Sequence, residues 1–348
     1  MTTKPSPVAF QTILRPKPPL IPGVSDHYLS LIVPVITHWA TAAFYVFIER
    51  FELLQKCRIH SREEEKMKNS VSRLECLRGV ILVQILQTGL GVSLGIISGV
   101  EMTGYEDQDI LCWAGRVHEL KCTMLFLLSC LGLEAKGLGD ALPSLVGSTI
   151  WASNLASFEA ELLVAKVIYY ALIPACRLYI ALWLADAWVF FIHRAEHSNP
   201  WLYKTFHARH HELYVPYSWG GIYDHPIESL FLSVGAFAVA VMGTGMSLRE
   251  SMVFSAFSSA KACTDHSGYV FRWNPVDLFT TVNAEYHDKH HQRWGLKKNF
   301  ALHFQFWDRL LGSDFRDAET AVRLYTRDRK AAEMYMAMEK TAEKAKKL

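Results

Sequence analysis

Residues 160–197 read AELLVAKVIYYALIPACRLYIALWLADAWVFFIHRAEH. The stretch is apolar and aromatic up to Ile192, then turns to His193-Arg194-Ala195-Glu196-His197. Lys166, Arg177 and Asp186 interrupt it, and each charge costs about 2.5–3.5 kcal/mol at the centre of a bilayer. Pro174 removes a donor from any helix that contains it. The combination predicts a kinked helix that leaves a membrane near Asp186. Its continuation carries two histidines, at i and i+4 on one face, into water.

The same pattern recurs on both sides of this stretch. Residues 29–48 contain no Asp, Glu, Lys or Arg. Twenty helical residues span about 30 Å, the thickness of a bilayer's hydrocarbon core. Residues 79–100 form a second uncharged run and 229–248 a third. After Arg249 and Glu250 the apolar character resumes to Ala260, so 229–260 reads as a short hairpin, or as one span plus a re-entrant helix. Residues 120–134 form a weaker, interfacial patch. The expectation is an all-α integral membrane protein with about four transmembrane helices. Loop charge sets its orientation. Residues 49–78 hold eight Lys or Arg and 101–159 hold three, which places 49–78 in the cytosol and 101–159 in the lumen. The dense histidine clusters then face the cytosol.

Composition excludes other classes. The 348 residues are 51% hydrophobic and 20% charged, which rules out disorder. The net charge of +2 gives no bulk attraction to nucleic acid. Seven cysteines without a CxxC pair do not make a disulfide scaffold. Four regions are expected. A Pro-rich arm, 1–28, lacks the compact apolar core and cleavage site of a signal peptide. Membrane-anchoring spans and loops follow over 29–160, a catalytic domain over 161–315, and a basic, helix-like tail over 316–348. The tail ends Lys344-Ala345-Lys346-Lys347-Leu348. That is either a dilysine signal for the endoplasmic reticulum or an ordinary solvated end.

Eleven of the 15 histidines lie between His193 and His303. Beyond His193 and His197, the boxes His207-Ala208-Arg209-His210-His211 and His287-Asp288-Lys289-His290-His291 repeat one spacing, i, i+3, i+4. On a helix each box presents its nitrogens to one point. Eight imidazoles exceed what one tetrahedral ion takes. They suit two ions of a metal that favours imidazole, such as iron. His266 and His225 are further candidate ligands. His303, in an aromatic run, is read as packing, and His27, His38, His60 and His118 as structural. H-x-x-E-H over 193–197 also fits an inverted zinc-peptidase motif with Glu196 as base, but leaves the other two boxes unexplained. Neutral ligands leave the metal charge uncompensated, which suits O₂ activation and attack on an unactivated C–H bond. The chain has no Rossmann fingerprint for a nicotinamide or flavin and no His-Pro-Gly-Gly haem motif, so electrons are expected from a separate protein. No catalytic side chain is expected beyond the metal ligands. A metal transporter would carry its ligands near the bilayer midplane, whereas these boxes lie outside the uncharged runs. A non-catalytic metal-binding membrane protein would show a broken box, and all three are intact.

Asp186-Ala187-Trp188 leading to His193-Arg194 and His197, the two HxxHH boxes, Asn299-Phe300, Trp307-Asp308-Arg309 and Gly312 together resemble the fatty acid hydroxylase (sterol desaturase) superfamily of membrane di-iron enzymes. The likeness covers about residues 180–315. Within the superfamily, His210-His211-Glu212-Leu213-Tyr214-Val215-Pro216-Tyr217 is most similar to the sphinganine 4-hydroxylases of fungi and plants, as are Asp265-His266-Ser267-Gly268-Tyr269 and Tyr286 to Gln292. Leu14-Arg15-Pro16-Lys17 and Lys56-Cys57-Arg58-Ile59-His60 resemble the fungal branch. Thr264 and Ser229 depart from the usual Asp and Gly, and some members have Asn at His225. The resemblance implies a histidine-rich helical cap holding two irons and facing the cytosol from the endoplasmic reticulum membrane. It implies hydroxylation at C4 of sphinganine, as free base or ceramide, to phytosphingosine. O₂ would be the oxidant, and cytochrome b5 with its reductase the electron source. Asp224, Glu228, Asp265 and Glu285 are candidates to meet the substrate's polar head or to orient a histidine. The alternatives are a sterol desaturase or methyl-sterol oxidase, and a hydroxylase of a sphinganine-like metabolite.

Overall fold

The computed structural model describes residues 13–97, 99–132 and 154–346. Pro5, Pro7, Lys136 and the terminal Lys347-Leu348 lie outside the described residues. Among the described residues helices predominate, and one short antiparallel ribbon pairs Arg15–Pro16 with Met102–Thr103.

Among the described residues, four helices are long and apolar enough to cross a membrane, which makes this a multi-pass membrane protein. Helix α1 (Asp26–Arg50) starts at a cap in which Ser25 accepts the Tyr28 N–H. Asp26 in its first turn and Arg50 in its last complement the helix dipole. Helix α2 (Arg62–Lys68) is short and closed by a capping box between Ser61 and Glu64. Helix α3 (Arg73–Ile97) is the second span. Helix α4 (Glu106–Cys130) runs ahead of α5 (Asn154–Val167), a π turn at Ile168–Leu172, and α6 (Ile173–Ser198). Phe158–Ser198 is continuous over 41 residues, so the irregularity expected at Pro174 takes the form of a π turn just before it. The fourth span, α7 (Pro226–Thr244), contains a π turn at Leu230–Val234. Gly245, at φ 60°, turns the chain into α8 (Leu248–Asp265). Only α7 of that pair qualifies as a span; α8 carries Arg249, Glu250 and Lys261. Large apolar side chains stay exposed along the spans, among them Ile36, Phe47, Ile85 and Ile180. Such rows mark faces that meet lipid.

The chain forms two compact units, divided in sequence inside α6 between Arg177 and Leu178. One comprises 1–19 and 99–177. There α4 and α5 pack through Ile110, Ala114 and Ala165, and the Glu161 carboxylate takes Lys121 Nζ at 2.7 Å. The other comprises 20–98 and 178–348 and holds every histidine box. In it α8 lies along α1, with Cys263 Sγ 3.3 Å from His38 Nδ1 and Arg249 paired to Asp26 at 2.7 Å. Ala181, Leu182, Ala185 and Val189 of α6 pack with Ala236 and Ala240 of α7 and Phe254 of α8. Small residues at these positions let the helices approach closely. Helices α9 (Ala284–His291), α10 (Phe306–Leu310) and α11 (Ala318–Lys346) complete this unit. A second cluster, Phe190, Val282, Tyr286, Phe300 and Ala301 with Trp307, joins α6 to α9 and to the loop between α9 and α10.

Candidate metal centre

Each histidine box reaches the site on a different kind of backbone. His193 and His197 sit on the last turns of α6. His207 ends a π turn, Tyr203–His207, and His210 and His211 open a one-turn 3₁₀ helix, His210–Glu212. The second box is therefore not the regular helix expected from its spacing. The third lies on α9, only eight residues long, capped by Asn283 and begun by Ala284.

Nine imidazoles converge into two groups. His193, His197, His207, His211 and His290 form one, and His210, His266, His287 and His291 the other, with the ligand atoms of each within 4.8 Å of one another. The boxes do not each point to one place. In both HxxHH boxes the first and last histidines share a group and the middle one crosses to the other group. His207 and His211 face His290, while His287 and His291 face His210. This exchange interlocks the two segments.

The nitrogens define what the groups can hold. His193 Nδ1 donates to Phe300 O at 2.9 Å, and His207 Nδ1 is hydrogen-bonded to Glu228 Oε1. Both neutral rings then carry their proton on Nδ1. Their Nε2 lone pairs nevertheless face each other at 3.0 Å. Nε2 atoms also approach at 3.0 and 3.1 Å in His207–His211 and His197–His211, and at 3.1 Å in His266–His287 and His287–His291 of the second group. Lone pairs so placed repel unless they share a cation. Two imidazole nitrogens about 2.1 Å from one ion and at right angles lie about 3.0 Å apart, so the spacing fits. His290 Nε2 is buried with no hydrogen-bond partner, and its Nδ1 donates to Lys298 O at 2.7 Å. Burial first, and neighbouring imidazoles second, hold His207, His211, His287, His290 and His291 well below the ordinary histidine value. His266 is brought down to about 3, again mainly by burial. All are neutral at pH 7, the form that binds metal.

The supporting groups explain several motif residues. Asp186 is fully buried in α6 and accepts the N–H groups of Leu302, His303 and Phe304 at 2.9, 2.7 and 3.3 Å. Asp308 accepts those of Phe300 and Ala301 and the Tyr286 hydroxyl. Asn299, at φ 60°, ties Phe315 N and Tyr286 O. Together they pin the 298–304 segment, whose carbonyls orient His193 and His290.

The remaining candidates divide. Glu228 orients His207 by a hydrogen bond, and Asp224 Oδ1 lies 2.9 Å from His210 Nδ1, so both carboxylates stand beside histidines. Asp265 is occupied by the buried Lys261 ammonium at 2.5 Å. Glu285 is half-exposed and paired with Lys289 at 2.8 Å. Neither joins the histidine groups. His225 stands in neither group. It caps α7, its Nδ1 accepting the Ile227 N–H at 3.3 Å, and its ring meets Phe206 edge-on. His303 packs beside Phe304 and Phe257 as expected. Two residues gain roles that their sequence position did not signal. Glu196 lies buried 3.6 Å from His207 Nδ1. His60 donates to two buried carboxylates, Glu64 Oε1 and Asp288 Oδ1, both at 3.0 Å. Burial alone would lower the His60 imidazolium, but Asp288 and Glu64 outweigh it and lift it to about 9. Glu64, which burial would raise, is drawn down to about 2 chiefly by His60.

Long apolar helices carrying two facing groups of imidazoles define a membrane protein with two histidine clusters, each of which could hold a metal ion. The sequence model of the Fatty acid hydroxylase family matches residues 178–313. A Saccharomyces cerevisiae protein named sphingolipid C4-hydroxylase is 32% identical over 310 residues, 88% of this chain and 77% of its own. Sphinganine C4-monooxygenase 2 of Arabidopsis thaliana is 32% identical over 291 residues, 83% of this chain and 88% of its own. Methylsterol monooxygenase 1 of Gallus gallus is 34% identical over 133 residues, 38% of this chain and 43% of its own. The chain belongs to the fatty acid hydroxylase family. No solved structure gives a significant match.

Proposed function

We propose that this protein is a di-iron membrane monooxygenase that hydroxylates C4 of sphinganine, as free base or ceramide, to the 4-hydroxylated product. The observation that carries the chemistry is the convergence of nine imidazoles into two groups, with the Nε2 lone pairs of His193 and His207 facing each other at 3.0 Å. The substrate assignment is supported by the relatives named for C4 hydroxylation, which match over more than four-fifths of the chain. The sterol reading rests on a match to 38% of it.

His193, His197, His207, His211 and His290 would hold one iron, and His210, His266, His287 and His291 the other. Bound there, the irons would supply O₂ activation, chemistry that no side chain performs alone. The balance is R–H + O₂ + 2e⁻ + 2H⁺ → R–OH + H₂O. The chain's own contribution is positional. Glu228 and the carbonyls of Phe300, Lys298 and Ala262 hold four imidazoles by their Nδ1 atoms and leave each Nε2 free to ligate, and Asp224 lies 2.9 Å from the Nδ1 of a fifth, His210. The electrons would come from cytochrome b5 and its reductase. The membrane would be that of the endoplasmic reticulum, with the site on the cytosolic side, as the basic loop 49–78 indicates.

Expression in cells lacking sphingoid-base C4 hydroxylation tests this reading. The wild-type chain should restore 4-hydroxylated bases and leave sterols unchanged. His290→Ala should remain in the membrane and yield no product. Product from His290→Ala would overturn the di-iron assignment, and a change confined to sterols would favour the sterol reading.

A further inference from the structure

Behind the third histidine box lies a buried polar cluster built largely from outside the family-matched segment. Asp288 stands between the ligands His287 and His290 and faces away from them. Its carboxylate receives His60 Nε2 at 3.0 Å, the Tyr325 hydroxyl at 2.6 Å and the Gln292 amide at 3.3 Å. His60 Nδ1 meets Glu64 Oε1 at 3.0 Å. Lys68 Nζ donates to Gln292 Oε1 at 3.1 Å, and the Gln292 amide reaches Tyr214 O at 2.7 Å. His60, Glu64, Asp288 and Gln292 are each at most 3% exposed. The cluster thus draws the 60–68 segment, Tyr214, α9 and α11 together.

Helix α9 needs such an anchor. Eight residues make a marginal helix by themselves, yet this one delivers three ligands to two groups. A rotation of one turn that suited His287 and His291 would misplace His290. With carboxylates on both sides, both ring nitrogens of His60 must donate, so a buried cation faces a buried pair of anions. Removing His60 takes the cation from the Asp288 carboxylate, whereas Glu64 keeps Lys68 and Arg329, each at 3.6 Å.

We propose that His60 is a positioning residue for the metal centre, holding α9 in register through Asp288, with Tyr325 of α11 as its second support. This rests on the di-iron reading, and the test separates the two. Purified full-length protein would be loaded with iron, and separately with Co(II), whose absorption bands report ligand geometry. Metal per chain, the Co(II) bands, kcat and KM would be compared across variants. His60→Ala should lower metal content and kcat by about tenfold or more and shift the bands, with KM for the lipid unchanged. His60→Gln, which keeps a donor facing Asp288, should recover most of both. Tyr325→Phe, which removes one hydroxyl and keeps the ring, should shift the bands in the same direction by less. The His60→Ala/Asp288→Asn double variant should be no worse than the worse single one. Wild-type bands and kcat in His60→Ala, or losses that add in the double variant, would overturn the role of His60. If His60→Ala does not fold, unchanged bands in both His60→Gln and Tyr325→Phe would overturn it. A wild-type chain that takes up no metal would overturn the di-iron reading and this proposal with it.

Discussion

At the scale of single residues, an imidazole's role depends on what its second nitrogen meets. His266 and His225 look alike as outliers beside the boxes, yet only His266 reaches a group. It ends α8, where its Nδ1 donates to Ala262 O at 2.9 Å and its Nε2 turns to His210 at 3.3 Å. His225 is followed by Pro226 and, three residues on, by Glu228, the pattern of a helix start. That signal was readable in the sequence and argues against a ligand. The role of His60 was not readable, and for Glu228 and Asp224 the sequence leaves open the choice between substrate head and histidine. Their partners lie up to 228 residues away, and spacing carries no information about a bond of that length. Glu228 bridges two jobs, holding His207 Nδ1 with one oxygen and the His225 N–H with the other. Glu228→Gln keeps the size but replaces the carboxyl with an amide that can donate as well as accept, so the proton on His207 Nδ1 is no longer fixed. It should weaken metal retention or activity by about 10–100-fold, checked by iron per chain after dialysis against a chelator. Retention equal to wild type would show that His207 is held without it.

At the scale of elements, spacing told which segments carry the grouped histidines but not how they are wound. The two HxxHH boxes are identical in spacing, yet one lies on α9 and the other on a π turn running into a 3₁₀ turn. A π turn adds a residue to the helical repeat and often marks functional sites. Here it lets His207 and His211 share a group despite the irregular backbone. Exit from α9 is equally constrained. Gly295 N donates to Gln292 O at 2.8 Å, and a Cβ on Gly295 would lie 1.7 Å from Lys289 O. The clash is with backbone, so it cannot be relieved by a rotamer change. Gly295→Ala should cost about 1–3 kcal/mol or more and loosen the ligands His290 and His291. A lowered thermal midpoint with reduced metal content is the expected measurement, and an unchanged midpoint would mean that the 292–298 turn is free to shift.

At the scale of the whole molecule, the average composition conceals an uneven design, with apolar residues gathered in four spans and most histidines in one third of the chain. The basic segment 49–78 is folded, with α2 capped at Ser61 and α11 packed on it, so its side is best read by chemical labelling. Lys66 is exposed. In a background with the exposed cysteines replaced, Lys66→Cys should react with a membrane-impermeant thiol reagent in sealed, cytosol-side-out microsomes. Labelling only after permeabilisation would reverse the orientation. By itself the sequence determined the membrane class, the four spans, the three boxes and the family. Hydrophobic run length, ligand spacing and motif identity are local properties of a chain. Only the tertiary structure decided that the boxes exchange their middle histidines, that His225 stays outside, and that His60 and Tyr325 stand behind α9. Those facts depend on which nitrogen faces which partner, and that is settled when distant segments pack together and buried polar groups must find partners.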